Sequence, residues 1–223
     1  RAFDPLRRVG PQLRRPLELH RGLGPTAAHA RATELLDRLG VPEPAAVMGS
    51  YPHELSGGML QRAAIATAVS CEPELVIADE PTTALDAVVQ VQVADAFMRL
   101  VRELGSAMMV ITHDLRLLQR MADRIAVMYA GRIVEFGSAE RLLGAPRHRY
   151  PAALLQSSVR ATSPGQRLET VEGQPPTLPG TFEACAFAPR CAFADERCRT
   201  EVPTYTWPAD DGVACHHPVG ART

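Results

Sequence analysis

The sequence predicts an α/β fold with a mainly parallel core sheet, a helical subdomain before it and a small cysteine-bearing extension at the C-terminus. Two short apolar runs, 75–78 and 107–111, flank a segment whose apolar residues recur at helical spacing. Strand, helix and strand in this order form the repeating unit of α/β proteins. Four cysteines gathered after residue 183 indicate that the extension is a metal-binding segment.

Composition excludes several classes of protein. The chain has 223 residues, of which 46% are hydrophobic and 22% charged, and its net charge is -1. This length allows one domain and a modest second one, and the neutral charge argues against nucleic-acid binding. All 24 basic residues are arginine, so the chain contains no phosphate-binding loop of the GxxxxGK(S/T) type. It also lacks the run of about twenty apolar residues that a membrane-spanning helix needs.

Residues 1–55 are predicted to form the helical subdomain. Ala, Leu and Arg dominate two stretches, 11–19 and 26–39, and the second is followed by a glycine and a proline that end a helix.

The chain begins with Arg1 and has no apolar signal region. We therefore expect it to come from the middle of a longer reading frame.

Residues 56–145 are predicted to form the α/β core. The two apolar runs are continuous, as is typical of parallel strands that are buried on both faces. Asp86 can cap the helix between them. Two more runs, 125–129 and 132–136, predict strands joined by a two-residue turn.

The C-terminal part is predicted to contain two segments. Residues 146–182 begin with a helix at 150–158 and continue as a linker rich in Pro, Gly, Ser and Thr. Residues 183–223 form the four-cysteine tail.

A serine and two glycines, Ser56, Gly57 and Gly58, precede a predicted helix. Backbone N–H groups at a helix N-terminus have no helical partner, and glycines let a ligand come close to them. This pattern can bind a phosphate group. The alternative is a capped helix whose glycines have no ligand.

Polar residues follow both central strands. Asp79 and Glu80 end the first apolar run, and His113 ends the second. Ligands of α/β proteins bind at the carboxyl ends of strands, where one carboxylate can hold Mg²⁺ and the next can orient a water. The alternatives are ordinary surface acids and a structural histidine.

Four motifs in this order resemble those of ABC-type ATPase nucleotide-binding domains. LSGGMLQ at 55–61 resembles the ABC signature, and LVIADE at 75–80 resembles the Walker B strand with its glutamate. ALD at 84–86 resembles the D-loop, and ITHD at 111–114 resembles the H-loop. The resemblance covers about residues 5–160 and implies a partial ABC-type domain, because the P-loop with its lysine and the Q-loop glutamine are absent.

The resemblance implies a role for each matching residue. Asp79 would hold Mg²⁺ through water, Glu80 would polarise the attacking water, and His113 would bind the γ-phosphate of ATP. Four residues would bind or support the ATP held by the opposing subunit: Ser56, Gly57, Gly58 and Gln61. Asp86 would lie at the dimer interface and couple the two sites.

Within the ABC ATPases, the chain is most similar to the oligopeptide/dipeptide importer group, which includes nickel importers. YPHE at 51–54, GQPP at 173–176 and CAFAPRC at 185–191 carry this similarity.

The tail cysteines have the spacing C-x5-C-x6-C-x16-C and are Cys185, Cys191, Cys198 and Cys215. Four converging thiolates can hold a 4Fe-4S cluster or a tetrahedral zinc ion. The cluster is favoured because the tail lacks the tight cysteine pairs of structural zinc sites and because the resemblance implies it. Zinc stays open because His216 and His217 could replace a thiolate. Unliganded thiols in a loosely packed tail are the third interpretation.

The predicted function is that of an ATP-binding subunit that hydrolyses ATP with Mg²⁺ to drive import of oligopeptides, dipeptides or a related solute such as nickel. The implied partners are a second ABC ATPase subunit, integral membrane permease subunits and, indirectly, an extracytoplasmic solute-binding protein, with no nucleic acid. The implied location is peripheral, on the cytoplasmic face of the membrane. The alternatives are a non-catalytic fragment or subunit that donates its signature to another ATPase, an ABC-type ATPase acting on DNA or ribosomes, and a metal or redox sensor.

Overall fold

The structure, a computed structural model, describes residues 2–83, 85–157, 171, 173–174, 176, 182–205 and 211–220. Ala84 of the predicted D-loop and most of the linker predicted at 160–182 lie outside the described residues. The chain divides into a first unit, Arg1–His113, and a second unit, Asp114–Thr223. The boundaries expected at 55, 145 and 182 stay predictions.

Helices make up the beginning of the first unit. In order they are α1 (Val9–His20), α2 (Pro25–Arg38), α3 (Pro44–Gly49), a 3₁₀ turn (Pro52–Glu54) and α4 (Gly57–Val69). Apolar residues at helical spacing, such as Leu13 and Leu17 in α1 and Leu35 in α2, are 1% exposed or less. Both helices expected in this region are confirmed, because each buries one apolar face against its neighbours.

The first unit continues with β1 (Leu75–Asp79), α5 (Ala87–Glu103) and β2 (Ala107–Ile111). β1 and β2 pair in parallel, with Leu75 opposite Ala107, so the predicted parallel pairing is confirmed. The prediction that both sheet faces are buried is wrong. The exposed fractions of Leu75, Ile77, Met109 and Ile111 lie between 46% and 62%, whereas Val76 is 4% exposed. Alternate strand residues point to opposite faces, and the described residues cover one of them.

The second unit contains α6 (Leu115–Met121), β3 (Arg124–Tyr129), β4 (Arg132–Ser138), α7 (Ala139–Gly144), α8 (Arg149–Ser157), a 3₁₀ turn (Ala188–Arg190), α9 (Glu196–Thr200) and β5 (Gly212–Val213). β3 and β4 form the predicted hairpin, and β5 pairs with β4, all antiparallel. The turn residues Ala130 and Gly131 have φ values of 49° and 77°. This left-handed backbone is what a two-residue hairpin turn requires.

The cysteine tail packs on this hairpin. Tyr129 and Val134 of the hairpin and Phe187 of the tail form one buried apolar cluster. The rings of Tyr129 and Phe187 meet edge to face with centroids 5.3 Å apart. The N–H of Ala214 donates to the carbonyl of Val134 at 2.8 Å. The tail is therefore attached to the sheet of the second unit by packing and by strand pairing.

A buried carboxylate also fixes the start of α8. Glu135 is 0% exposed, and its Oε1 lies 2.7 Å from Nη1 of Arg141. Its Oε2 accepts the N–H of His148 at 2.7 Å. Asp211 of the tail pairs with the same Arg141 at 2.7 Å. Because a buried charge is tolerated only when it is paired, this network ties β4, α7 and the tail together.

None of the described helices is long and apolar enough to cross a lipid bilayer.

Candidate functional site

The predicted signature segment opens α4. Ser56 is the N-cap residue, and its Oγ accepts the N–H of Met59 at 3.3 Å. Ser56 and Gly57 are exposed, and Gln61 is half-buried one turn further on. The hydroxyl of Ser56 can still donate its own proton, and the first-turn amides of α4 have no helical acceptors. This end of the helix can therefore receive an anion.

Gly58 has a second role that the sequence did not reveal. A Cβ atom at this position would lie 2.8 Å from Cγ1 of Val89 in α5, closer than real carbon contacts come. At Gly57 the nearest such atom, Cδ2 of Leu85, is 3.6 Å away, which is ordinary contact. Glycine at position 58 is thus required for α4 and α5 to pack.

Glu80 and His113 meet beyond the carboxyl ends of β1 and β2. The N–H of Glu80 donates to the carbonyl of Ile111 at 2.8 Å. Its Oε1 lies 2.7 Å from Nδ1 of His113, and its Oε2 accepts the hydroxyl of Thr83 at 2.8 Å. Asp79, exposed at the last position of β1, is at the same end of the sheet. The structure therefore brings together three predicted site residues and adds Thr83.

These contacts lower the pKa of Glu80, the His113 hydrogen bond having the larger effect and the Thr83 hydroxyl the next. An ionised carboxylate only accepts hydrogen bonds, as a group that orients a water must. Glu80 also has a φ of 47°. A non-glycine residue in this left-handed region is strained, and such strain concentrates at functional sites.

Asp86 caps α5, as the sequence predicted. Its Oδ1 accepts the N–H of Val88 at 3.1 Å and that of Val89 at 3.0 Å. The carboxylate thereby fixes the start of the helix that packs against Gly58. Its role at a dimer interface stays a prediction.

The four tail cysteines line one small cavity. All four are free thiols, and they share the cavity wall with Arg149, Phe187, Phe193 and several neighbours. Residues spread over the tail thus converge on one place. The four thiols are therefore candidate ligands of one metal group.

Burial raises the pKa of three of these thiols, those of Cys185, Cys198 and Cys215. Backbone N–H groups oppose this effect, among them those of His217 and Arg149 at the sulfur of Cys215. Burial therefore favours the protonated form of these three thiols, and a metal that binds them has to displace their protons. The amides are already placed to stabilise the thiolates that result.

The two histidines after Cys215 differ in position. Nε2 of His217 lies 2.8 Å from Oδ2 of Asp195, whereas Nε2 of His216 lies 3.1 Å from the carbonyl of Glu201. The ligand atoms of Asp195, Cys198 and His217 lie within 4.8 Å of one another. Of the two histidines, His217 is thus the one placed to replace a thiolate.

Asp195 was missed in the sequence, although its spacing carried a signal. It caps α9 and accepts the N–H of Cys198 at 3.0 Å. An N-cap aspartate accepts the N–H of the second or third residue of its helix, so Asp195 stands at the usual capping distance before Cys198.

Comparison with known proteins decides the family. The family described as ABC transporter matches residues 5–83, and the one described as oligopeptide/dipeptide transporter, C-terminal region, matches residues 134–198. A dipeptide transport ATP-binding protein of Escherichia coli is 40% identical over 222 residues, which are 98% of this chain and 67% of that relative. The chain belongs to the ABC transporter family. The resemblance predicted from the motifs is confirmed.

Other ABC relatives are longer than this chain. An oligopeptide transport ATP-binding protein of Salmonella typhimurium is 41% identical over 218 residues, which are 98% of this chain and 65% of that relative. A Brucella melitensis protein provisionally named as a peptide import ATP-binding protein is 47% identical over 208 residues, which are 91% of this chain and 62% of that relative. The chain thus spans less than two thirds of the length of these two relatives.

Solved ABC structures share the fold. The dimeric structure of a bacterial ABC transporter cassette has a TM-score of 0.54 and 28% identity, and the match covers 61% of this chain and 59% of that one. A dimeric ATP-binding cassette in a post-hydrolysis state, bound to ADP and Pi, has a TM-score of 0.54 and 27% identity over the same shares. The predicted fold class, an ABC-type nucleotide-binding domain, is confirmed.

Proposed function

We propose that this chain belongs to an ATP-binding subunit that hydrolyses ATP to drive import of oligopeptides or dipeptides, or of a related small solute such as nickel. The observation that carries the proposal is the Glu80 carboxylate, held by His113 at 2.7 Å and by Thr83 at 2.8 Å. A carboxylate fixed in this way can orient a water for attack on a phosphate. The names of the relatives and the matched C-terminal region support peptides as the cargo.

The proposed reaction takes place between two head-to-tail nucleotide-binding domains. Asp79 holds Mg²⁺ through water, Glu80 polarises the attacking water, and His113 binds the γ-phosphate. The residues that face the ATP of the opposing subunit are Ser56, Gly57, Gly58 and Gln61. Their place at the start of α4 supports this role, because first-turn amides bind anions. Asp86 lies at the interface of the two domains.

The proposed partners are a second ABC ATPase subunit, identical or different, and integral membrane permease subunits. An extracytoplasmic solute-binding protein acts indirectly, by delivering the solute to the permease. The proposed location of the subunit is the cytoplasmic face of the membrane, as a peripheral protein.

The proposed metal group is a 4Fe-4S cluster held by Cys185, Cys191, Cys198 and Cys215, with zinc as the alternative. Their common cavity supports it. When bound, the group supplies a cross-link between the cysteine-bearing segments of the tail.

The test of the ATPase proposal is Glu80→Gln in the natural protein assembled with its membrane subunits. We expect ATP binding to persist and turnover to be nearly abolished, since glutamine cannot accept a proton as the carboxylate does. Glu74→Gln, which changes an exposed acid just before β1, is the matched control and should keep wild-type turnover. Retention of half the wild-type turnover by Glu80→Gln would remove Glu80 from the role of essential base.

A signature-donating subunit is the second candidate, and the exposed Ser56 and Gly57 at the start of α4 are the residues it would offer to a partner's ATP. An assembled natural protein that supports a partner's ATPase activity but hydrolyses no ATP itself would favour this candidate.

A further inference from the structure

Arg149 contacts two separate parts of the tail beside the cysteine-lined cavity. It is the first residue of α8, and it lines the cavity together with the four cysteines. Its Nε donates to the carbonyl of His217 at 2.9 Å, and its backbone N–H is directed at the sulfur of Cys215. Its guanidinium carbon lies 3.8 Å from the ring centroid of Phe193, which stands between Cys191 and Cys198 in the chain. One side chain thus joins two cysteine-bearing segments.

The charge of Arg149 also matters. Four thiolates concentrate negative charge in a partly buried place, where an opposite charge is worth more than in water. Among the described residues that line the cavity, Arg149 is the single arginine. Its guanidinium stays ionised in proteins. The other basic groups of the lining are His148, His216 and His217, and burial lowers the pKa of His148 to about 4, so its imidazole is neutral at pH 7.

We propose that Arg149 is a positioning residue for the metal group of the tail. It holds the segments that follow Cys191 and Cys215 in place, and its charge offsets that of the bound thiolates. Groups that orient metal ligands in this way change metal affinity by about 10- to 100-fold. The proposal rests on the metal site proposed above and is independent of ATP hydrolysis.

The experiment loads the full chain anaerobically with ferrous iron and sulfide and, in a separate arm, with zinc. The variants are Arg149→Met, which removes the charge and the hydrogen bond, and Arg149→Lys, which keeps the charge. Arg124→Met is the matched control, because Arg124 also stacks on a ring, that of Phe136 at 4.4 Å, but does not line the cavity. The measurements are metal and sulfide per chain, the rate of metal loss to a chelator and, for iron, the midpoint potential.

We expect Arg149→Met to lose its metal about tenfold faster than wild type, with Arg149→Lys between the two and Arg124→Met unchanged. In the iron arm, the midpoint potential of Arg149→Met should be more negative, because removing a positive charge disfavours the added electron. Arg149→Lys should keep a potential near that of wild type.

If Arg149→Met loses metal at the wild-type rate and has the wild-type midpoint potential, Arg149 does not position the metal group. That result would leave the proposed metal site itself unaffected. If Arg149→Met does not fold, the test uses Arg149→Lys instead. The proposal would be overturned if Arg149→Lys lost its metal no faster than Arg124→Met does. A wild-type chain that takes up neither iron with sulfide nor zinc would overturn the metal site and this proposal with it.

Discussion

Thr83 is the second hydrogen-bond donor to the Glu80 carboxylate. Its hydroxyl lies 2.8 Å from Oε2, and together with His113 it lowers the pKa of Glu80. Removal of the hydroxyl therefore raises this pKa toward its ordinary value. At a given acid pH, a larger fraction of Glu80 is then protonated and unable to orient a water.

We expect Thr83→Val in the natural assembled protein to move the acid limb of the kcat profile to higher pH. Turnover at neutral pH should fall by about tenfold to a hundredfold, the effect of one lost hydrogen bond to a charged group. Thr83→Ser, which restores a hydroxyl, should restore the profile, and Thr33→Val in α2 is a control at a distant hydroxyl. If the pH profiles of Thr83→Val and wild type coincide, Thr83 does not act through Glu80.

His148 makes stability depend on pH. It is 1% exposed, and its Nδ1 accepts the N–H of Tyr150 at 3.0 Å. Burial lowers its pKa from 6.5 to about 4. Between these values the unfolded chain binds the extra proton and the folded chain does not. The stabilising contribution is therefore complete above pH 6.5 and is lost as the pH falls to about 4.

We expect the free energy of unfolding to fall by about 3 kcal/mol over this pH range on account of His148. His148→Asn keeps an acceptor for the N–H of Tyr150 but does not titrate, so its stability should change less with pH. His29→Asn, which changes an exposed histidine, is the control, and its stability should change with pH as that of wild type does. The measurement is denaturant unfolding between pH 4 and 7, and equal pH slopes for wild type and His148→Asn would contradict this role.

Among the secondary-structure elements, the contact of α4 with α5 depends on Gly58. A methyl group there would meet Cγ1 of Val89 at 2.8 Å, whereas at Gly57 the nearest atom is 3.6 Å away. We expect Gly58→Ala to destabilise the folded chain by about 1–3 kcal/mol, the usual cost of overpacking. Gly57→Ala should be neutral or stabilising, since alanine favours the helix.

Thermal unfolding measures the stability of four variants: Gly57→Ala, Gly58→Ala, Val89→Ala and the double variant Gly58→Ala/Val89→Ala. Val89→Ala removes the obstructing methyl groups, so the double variant Gly58→Ala/Val89→Ala should be more stable than the sum of its two single changes predicts. Strict additivity would show that the two side chains do not conflict.

The elements themselves could mostly be predicted from the sequence, because periodicity and caps are local signals. The helix after Asp86 and the hairpin around Gly131 are examples. The packing of Phe187 on Tyr129 could not be predicted, because it joins distant residues. The two-residue strand β5 is too short to leave any alternating pattern.

At the scale of the whole molecule, motif order predicted the family, but the contacts of the site needed the structure. The sequence indicated Glu80 and His113 separately, and only the parallel register of β1 and β2 brings them into contact. Thr83 carried no signal, because a threonine in a turn has many uses. The convergence of the cysteines likewise depends on the tail folding back to the sheet.

The cysteine cavity, where the metal group is proposed to bind, lies wholly in the second unit, so removal of that group is expected to act there. The apolar cluster that holds the tail is small, and a small core depends on cross-links. A metal that binds only the folded tail stabilises it by mass action. Metal removal should therefore loosen the tail and leave the first unit unchanged.

We expect amide hydrogen exchange to become faster after chelation in residues 182–205 and 211–220, with no change in α2 or α4. Mass spectrometry of metal-loaded and chelator-treated full chain measures this difference. Cys198→Ser should abolish it, because one ligand is lost. Cys71→Ser, at a free thiol in the first unit, should preserve it. Faster exchange throughout both units would mean that the metal supports the whole chain, and no change anywhere would mean that the thiols hold no stabilising metal.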